Sequence, residues 1–108
     1  MNMEKEERDG DATITKYAVF KHGFRDPWEE TDIELSFRFS RPNRADIKRL
    51  TDTAGRNPSQ AARDLLISKI HPEDKEDLLA KLETYPGIAT SYSTALIKAV
   101  GITADLGN

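Results

Sequence analysis

The chain contains no cysteine and only two histidines among its 108 residues. Without cysteine there is no disulfide framework and no thiolate metal site, and the composition is compatible with a reducing cytosol. Two histidines alone do not complete a zinc site unless carboxylates from distant parts of the chain join them. We therefore expect neither a metal ion nor another cofactor.

Long apolar runs are also missing from the chain. No segment approaches the roughly 20 apolar residues that a helix needs to cross a bilayer. The N-terminal sequence MNMEKEERDGD is too charged for a signal peptide. We expect no membrane partner and a cytoplasmic protein, and the length predicts a single domain with a modest core.

No catalytic motif is recognisable. Ser91 and Ser93 have no glycine elbow or neighbouring base, and the chain has no phosphate-binding glycine loop. His71 lies beside two carboxylates, which would suit an acid/base pair or half a metal site. It also stands directly before Pro72, where a polar side chain commonly caps a helix, and this structural role is the one we favour. The sequence predicts that the protein is not an enzyme.

The charges are distributed unevenly, although the net charge is only −3. Residues 38–71 carry eight basic and three acidic side chains, whereas the segments on either side are acidic. A basic middle can be an electrostatic footprint for nucleic acid, but the packing of oppositely charged segments within one domain gives the same pattern. We favour packing and do not expect nucleic acid as a partner.

The first third of the chain predicts an acidic arm and a hairpin. Residues 1–11 are acidic and poor in apolar side chains, which favours a flexible arm. Residues 12–20 are rich in β-branched and aromatic side chains and predict a first strand. Residues 21–32 predict a long loop, and residues 33–40 predict a second strand because apolar and polar side chains alternate there. We expect the two strands to pair antiparallel within one chain.

Two helices are predicted after the hairpin. Asn43 is a suitable N-cap for the first, and Gly55 suits a left-handed position after its end. The second begins at Asn57, with Pro58 in its first position and Gln60 placed to reach back to the cap.

Two further helices complete the predicted domain. Pro72 opens the third and Pro86 opens the fourth, which Gly101 ends. The sequence thus predicts an α+β fold, a two-stranded antiparallel sheet followed by a compact array of four short helices. The single domain would span residues 12–101, and residues 102–108 would form a short tail.

The predicted fourth helix is a candidate partner-binding element because its only charged side chain is Lys98. Its second face carries Thr90, Ser91, Thr94 and Ile97. Low charge and small side chains suit a surface that binds another helix, but a helix contacted from both sides inside the domain has the same composition. Both interpretations stay open.

Trp28, in the predicted loop, is a second tentative partner-binding residue. An exposed tryptophan can anchor a partner, but a single tryptophan in a loop more often folds back onto the sheet, which is the outcome we expect.

A ribbon-helix-helix DNA-binding repressor is the main alternative function. Residues 33–70 have the order strand, helix, turn with Gly55, and helix. In such repressors the strands of two chains pair and lie in the major groove, where Glu34, Ser36 and Arg38 would read base edges. Against this, a preceding strand is available for local pairing, and two more helices follow. A general protein interaction module is a wider alternative.

Residues 33–101 as a whole resemble another family. The segments FRFSRP, AARDLLISKI, HPEDKEDLLAKLETYPG and STALIKAVG are similar to the small tail assembly chaperones of tailed phages and prophages. The most telling features are the aromatic-x-x-proline step from Phe39 to Pro42, and the sequence YPG followed by a low-charge helix that ends in glycine, from Tyr85 to Gly101.

This resemblance implies a non-enzymatic role in tail morphogenesis in the cytoplasm of a bacterial host. Members of the family bind the tape measure protein, prevent its hydrophobic helical stretches from aggregating, and help tail tube subunits assemble around it. The tape measure protein is thus the expected partner, and the tail tube protein is a second one. A homo-oligomer is left open by the sequence.

Overall fold

A computed structural model describes residues 14–102 of the protein. The predicted acidic arm of residues 1–11, and residues 103–108 of the predicted tail, lie outside this range. Within it, two strands are followed by four α-helices, which confirms the predicted α+β class and the order of its elements. The elements are β1 (Tyr17–Asp26), β2 (Thr31–Ser40), α1 (Arg44–Ala54), α2 (Pro58–Lys69), α3 (Lys75–Thr84) and α4 (Ile88–Ala99). No helix in this range has the length and apolar character required to cross a membrane.

The two strands form an antiparallel hairpin within one chain, as predicted. They pair along their full lengths, from Tyr17 opposite Ser40 to Asp26 opposite Thr31. The predicted bounds of the first strand (12–20) and of the long loop (21–32) are therefore wrong. Most of the predicted loop belongs to the strands.

The tight turn between the strands explains this difference. The Asp26 carboxylate accepts hydrogen bonds from the backbone N–H groups of Trp28 (2.9 Å) and Glu29 (3.1 Å). An aspartate followed by proline is a frequent opening of a tight turn. In addition, Phe20, His22 and Phe24 continue the alternation on the inner face up to this aspartate. His22 thus lies in β1 and not in a loop.

The inner face of β2 forms one wall of the core. Leu35, Phe37 and Phe39 are buried there. The ring of Tyr92, on α4, lies 5.6 Å from that of Phe37 and 5.5 Å from that of Phe39, measured between centroids. The Tyr92 hydroxyl is buried without a hydrogen-bond partner among residues 14–102, and burial raises the pKa of Tyr92 to about 12.

Asparagine caps begin α1 and α2, as predicted. The Asn43 side chain accepts from the Asp46 N–H (2.9 Å), and the Asp46 carboxylate accepts from the Asn43 N–H (2.8 Å), which completes a capping box. At α2 the Asn57 side chain accepts from the Gln60 N–H (3.1 Å). The prediction that the Gln60 side chain bonds back to the cap residue is wrong, because its amide donates to Asp64 one turn later (2.6 Å).

The two glycines predicted to end helices adopt different conformations. Gly55 has φ −64°, so the predicted left-handed conformation is wrong there. The two N–H groups that follow it donate to the Thr53 carbonyl (3.0 and 2.8 Å), which turns the chain without a positive φ. Gly101 is left-handed, with φ +97°. Its N–H donates to the Lys98 carbonyl (3.0 Å), and the Ile102 N–H donates to the Ile97 carbonyl (3.2 Å). These two bonds form a Schellman motif.

The connector between α2 and α3 covers part of the outer edge of β2. The His71 N–H donates to the Arg38 carbonyl (2.8 Å), and the Arg38 N–H donates to the Asp74 carboxylate (2.9 Å). Pro72 opens a 3-10 turn (Pro72–Asp74), in which Nδ1 of His71 accepts from the Glu73 N–H (3.0 Å). The predicted capping role of His71 is confirmed.

Candidate partner-binding surface

The position of α4 leaves one of its sides accessible. The helix follows Gly87 and ends in the Schellman motif, and its buried side includes Tyr92, Ser93 and Leu96. This side packs against the hairpin and α2. The opposite side faces away from the core.

Four of the five predicted α4 residues lie on the accessible side. Thr90, Thr94 and Lys98 are exposed at successive one-turn intervals, and Ser91 is half-buried beside them. The assignment of Ile97 to this face is wrong. Only 9% of Ile97 is exposed, because it lies one turn after the buried Ser93 and joins the core with it.

Ala95 also lies on the accessible side, and it is not among the predicted residues. It is half-buried and follows Ser91 by four residues, so the helical period would have identified it. We call Thr90, Ser91, Thr94, Ala95 and Lys98 the α4 surface.

The α4 surface consists of hydroxyl groups, methyl groups and one cation. Lys98 is the only charged residue of α4 and lies in its last turn, where a positive charge interacts favourably with the helix dipole. A surface of this composition permits the close approach of another backbone. It contains no carboxylate or imidazole that would act as a general acid or base.

Trp28 lies on the turn of the hairpin, and 88% of it is exposed. The prediction that it folds back onto the sheet is wrong. The turn has only four residues between the strands, and the indole that it carries stays in solvent. The structure therefore separates Trp28 from the core.

A buried carboxylate holds this turn in place. Asp26 is only 5% exposed, and in addition to its two backbone bonds it accepts a hydrogen bond from the Tyr85 hydroxyl (2.8 Å). The bonds from the Glu29 N–H and from the Tyr85 hydroxyl lower the pKa of Asp26. The same interaction raises the pKa of Tyr85. Tyr85 lies just before α4, so the turn and the beginning of α4 are at the same end of the molecule.

Arg38, which the DNA-binding alternative requires for base reading, is occupied in an ion pair. Its Nε and a terminal nitrogen contact the two carboxylate oxygens of Asp74 at 3.0 and 2.7 Å. This contact lowers the pKa of Asp74 to about 2 and raises that of Arg38. β2 pairs with β1 on one edge and with the α2–α3 connector on part of the other, so neither edge is free along its full length for the two-chain ribbon of a repressor.

The seven remaining basic residues of the middle segment divide into two groups. Lys48, Arg49 and Lys69 pair with carboxylates of the same segment, Lys48 with Asp52 and the other two with the buried Asp46. The other four are arginines that line no common strand or helix; Arg41, Arg44 and Arg56 are exposed and Arg63 is half-buried. In residues 14–102 no three histidine, aspartate or glutamate side chains are grouped so that they could hold a metal ion.

Comparison with known proteins assigns the chain to a family. Residues 17–107 match the family described as "Domain of unknown function (DUF6848)". The chain belongs to this family. No curated protein matches it.

A solved structure is similar to the chain over most of its length. It is that of the uncharacterised protein rbstp2171 from Bacillus stearothermophilus. The two sequences are 31% identical, the match covers 82% of this chain and 85% of the other, and the TM-score is 0.66. The fold is therefore shared with a relative whose description states no activity or partner.

Proposed function

We propose that the protein is a non-enzymatic binding protein whose α4 surface holds an amphipathic helix of a partner. The observation that carries this proposal is the exposure of Thr90, Thr94 and Lys98 on the helix with the least charge. Small side chains allow a partner helix to approach closely, and only one cation must be accommodated on binding.

The partner we propose is the tape measure protein of a phage or prophage tail. The resemblance of residues 33–101 to tail assembly chaperones supports this choice. Long tape measure proteins contain apolar helical stretches, which the α4 surface would shield. The tail tube protein as a second partner, and the cytoplasm of the bacterial host as the location, rest on the same resemblance.

The Thr94→Asp variant tests the α4 surface. Thr94 is exposed at the middle of this surface, so the new carboxylate stays in water in the free protein and changes its stability by less than about 0.5 kcal/mol. On binding, that charge loses its water together with Lys98, which lies one turn later, and the desolvation of such a pair disfavours binding relative to the neutral threonine. We expect the variant to lose co-purification with a helical fragment of the tape measure protein while its circular dichroism and melting stay unchanged.

Thr51→Asp is the matched control, because Thr51 is exposed on α1, away from the α4 surface. It should bind the tape measure fragment as the wild type does. Undiminished binding by folded Thr94→Asp would place the binding surface elsewhere. Unfolding of Thr94→Asp would show that this side of α4 belongs to the core.

A further inference from the structure

A groove lies at the open end of the hairpin, opposite to the turn. The start of β1, the end of β2 and the end of α4 line it, and its volume is about 730 Å³. Its apolar lining includes Phe20, Phe39 and Leu96. We call it the end groove.

The end groove also has a cationic lining. Lys16 and Arg41 line it and are exposed. Lys69 lines it as well, but its ammonium group already contacts the buried Asp46 at 2.8 Å. An apolar group flanked by carboxylates is therefore the chemistry that fits this groove.

The hairpin turn presents that chemistry at the other end of the molecule. The exposed indole of Trp28 is followed by Glu29 and Glu30, which are both exposed. Glu30 has φ +57°, a left-handed conformation that is unfavourable for a glutamate. Three hydrogen bonds to the carboxylate of Asp26 hold the turn in this shape, so little ordering is required when it binds.

The turn of one molecule does not reach its own groove. The two strands are each ten residues long, and at about 3.4 Å per residue the turn lies roughly 30 Å from the open end of the hairpin. Any contact between turn and groove must therefore join two molecules.

We propose that Trp28 of one molecule inserts into the end groove of a second copy of the chain, with Glu29 and Glu30 beside Lys16 and Arg41. The indole is a large apolar group that gains from burial, and aromatic anchors in pockets commonly dominate binding. Because two different surfaces meet, the contact is head-to-tail, and it continues into a ring or a filament.

Sedimentation velocity across a wide range of protein concentrations tests this proposal. Trp28 is the single tryptophan of the chain, so its fluorescence reports its own environment directly. We expect the wild type to associate as its concentration rises, with a shift of the emission to shorter wavelength. Trp28→Ala should weaken the association by at least about tenfold.

A groove variant and a matched control complete the design. Ala18 is exposed and lines the end groove, whereas Val19 is exposed on the opposite face of β1. Ala18→Glu should prevent association, and Val19→Glu should leave it unchanged. If Ala18→Glu does not fold by circular dichroism, Arg41→Glu tests the same groove.

An equimolar mixture of Trp28→Ala and Ala18→Glu provides the decisive measurement. The first variant keeps an intact groove and the second an intact turn, so the mixture should form dimers and nothing larger. A wild type that stays monomeric, variants that associate as the wild type does, or a mixture without dimers would each overturn the proposal. The Thr94→Asp variant should self-associate normally, so this result and that of the tape measure experiment are independent.

Discussion

The side chain of Asp74 illustrates how single residues connect distant parts of this chain. It accepts hydrogen bonds from both the backbone and the guanidinium group of Arg38, which lies 36 positions earlier. It thereby satisfies an edge N–H of β2 and fixes the segment before α3 against the sheet. Arg38, which would read bases in the DNA-binding alternative, thus stabilises the outer edge of the hairpin.

The lowered pKa of Asp74 predicts how this contact depends on pH. The pKa is about 2 in the folded protein, against 3.8 for the ordinary group. The carboxylate therefore stabilises the fold above about pH 4, and this contribution is lost as the pH falls toward 2. Near neutral pH, the melting temperature of Asp74→Asn should lie well below that of the wild type.

The difference between the two melting temperatures should shrink as the solution is acidified. Asparagine keeps an oxygen that accepts the Arg38 N–H but carries no charge, so the variant isolates the electrostatic part of the contact. A difference that stays constant from neutral pH to about pH 2 would contradict the assignment.

At the level of elements, the hairpin depends on the helices that cover it. An isolated two-stranded sheet is marginally stable in water. Here the inner face of β2 is buried against the helices, with Phe37 1% exposed. The outer face carries polar side chains such as Glu34 and Ser36, which are exposed. The sheet is therefore one wall of the core and not a free ribbon.

Phe37→Ala should accordingly destabilise the protein strongly. Truncation of a buried phenylalanine removes its transfer free energy and leaves a cavity, and together these cost about 3 to 5 kcal/mol. Urea unfolding measures this loss as a fall in the free energy of unfolding. The neighbouring exposed Ser36→Ala should change that free energy by less than about 0.5 kcal/mol. Equal effects of the two substitutions would show that the inner face is not the core.

At the level of the whole molecule, half of the basic side chains in residues 38–71 form internal ion pairs. Arg38 pairs with Glu73 and Asp74, and Lys69 pairs with the buried Asp46. These pairs join β2 to the acidic 3-10 turn before α3, and α2 to α1. Among the described residues, Arg38 is the one basic side chain of the middle that pairs with a flanking acidic segment, whereas the Lys69 pair lies within the middle itself.

Duplex DNA should consequently bind weakly. With Arg38 paired and β2 inside an intramolecular hairpin, only sequence-independent attraction to the exposed arginines is left. Such attraction typically gives dissociation constants of about 10⁻⁴ to 10⁻⁶ M at physiological salt. Fluorescence anisotropy with labelled duplexes of several sequences measures these dissociation constants. Nanomolar, sequence-specific binding would revive the repressor alternative.

Local signals in the sequence determined the class of the fold and most helix ends. The caps at Asn43 and Asn57, the glycine stop at Gly101 and the alternation of β2 each depend on residues within one or two turns of chain. For the same reason the spacing of Thr90 and Thr94 placed them on one helix face. The aspartate-proline pair at the hairpin turn is an equally local signal, but the predicted loop of residues 21–32 did not take it into account.

Only the tertiary structure decided which faces are covered. It placed Ile97 in the core, left Trp28 exposed at the turn and joined Arg38 to Asp74. Periodicity shows that a helix has two faces, but burial depends on which distant segments pack against each face. Those contacts join residues far apart in the chain, and no local pattern of side chains specifies them.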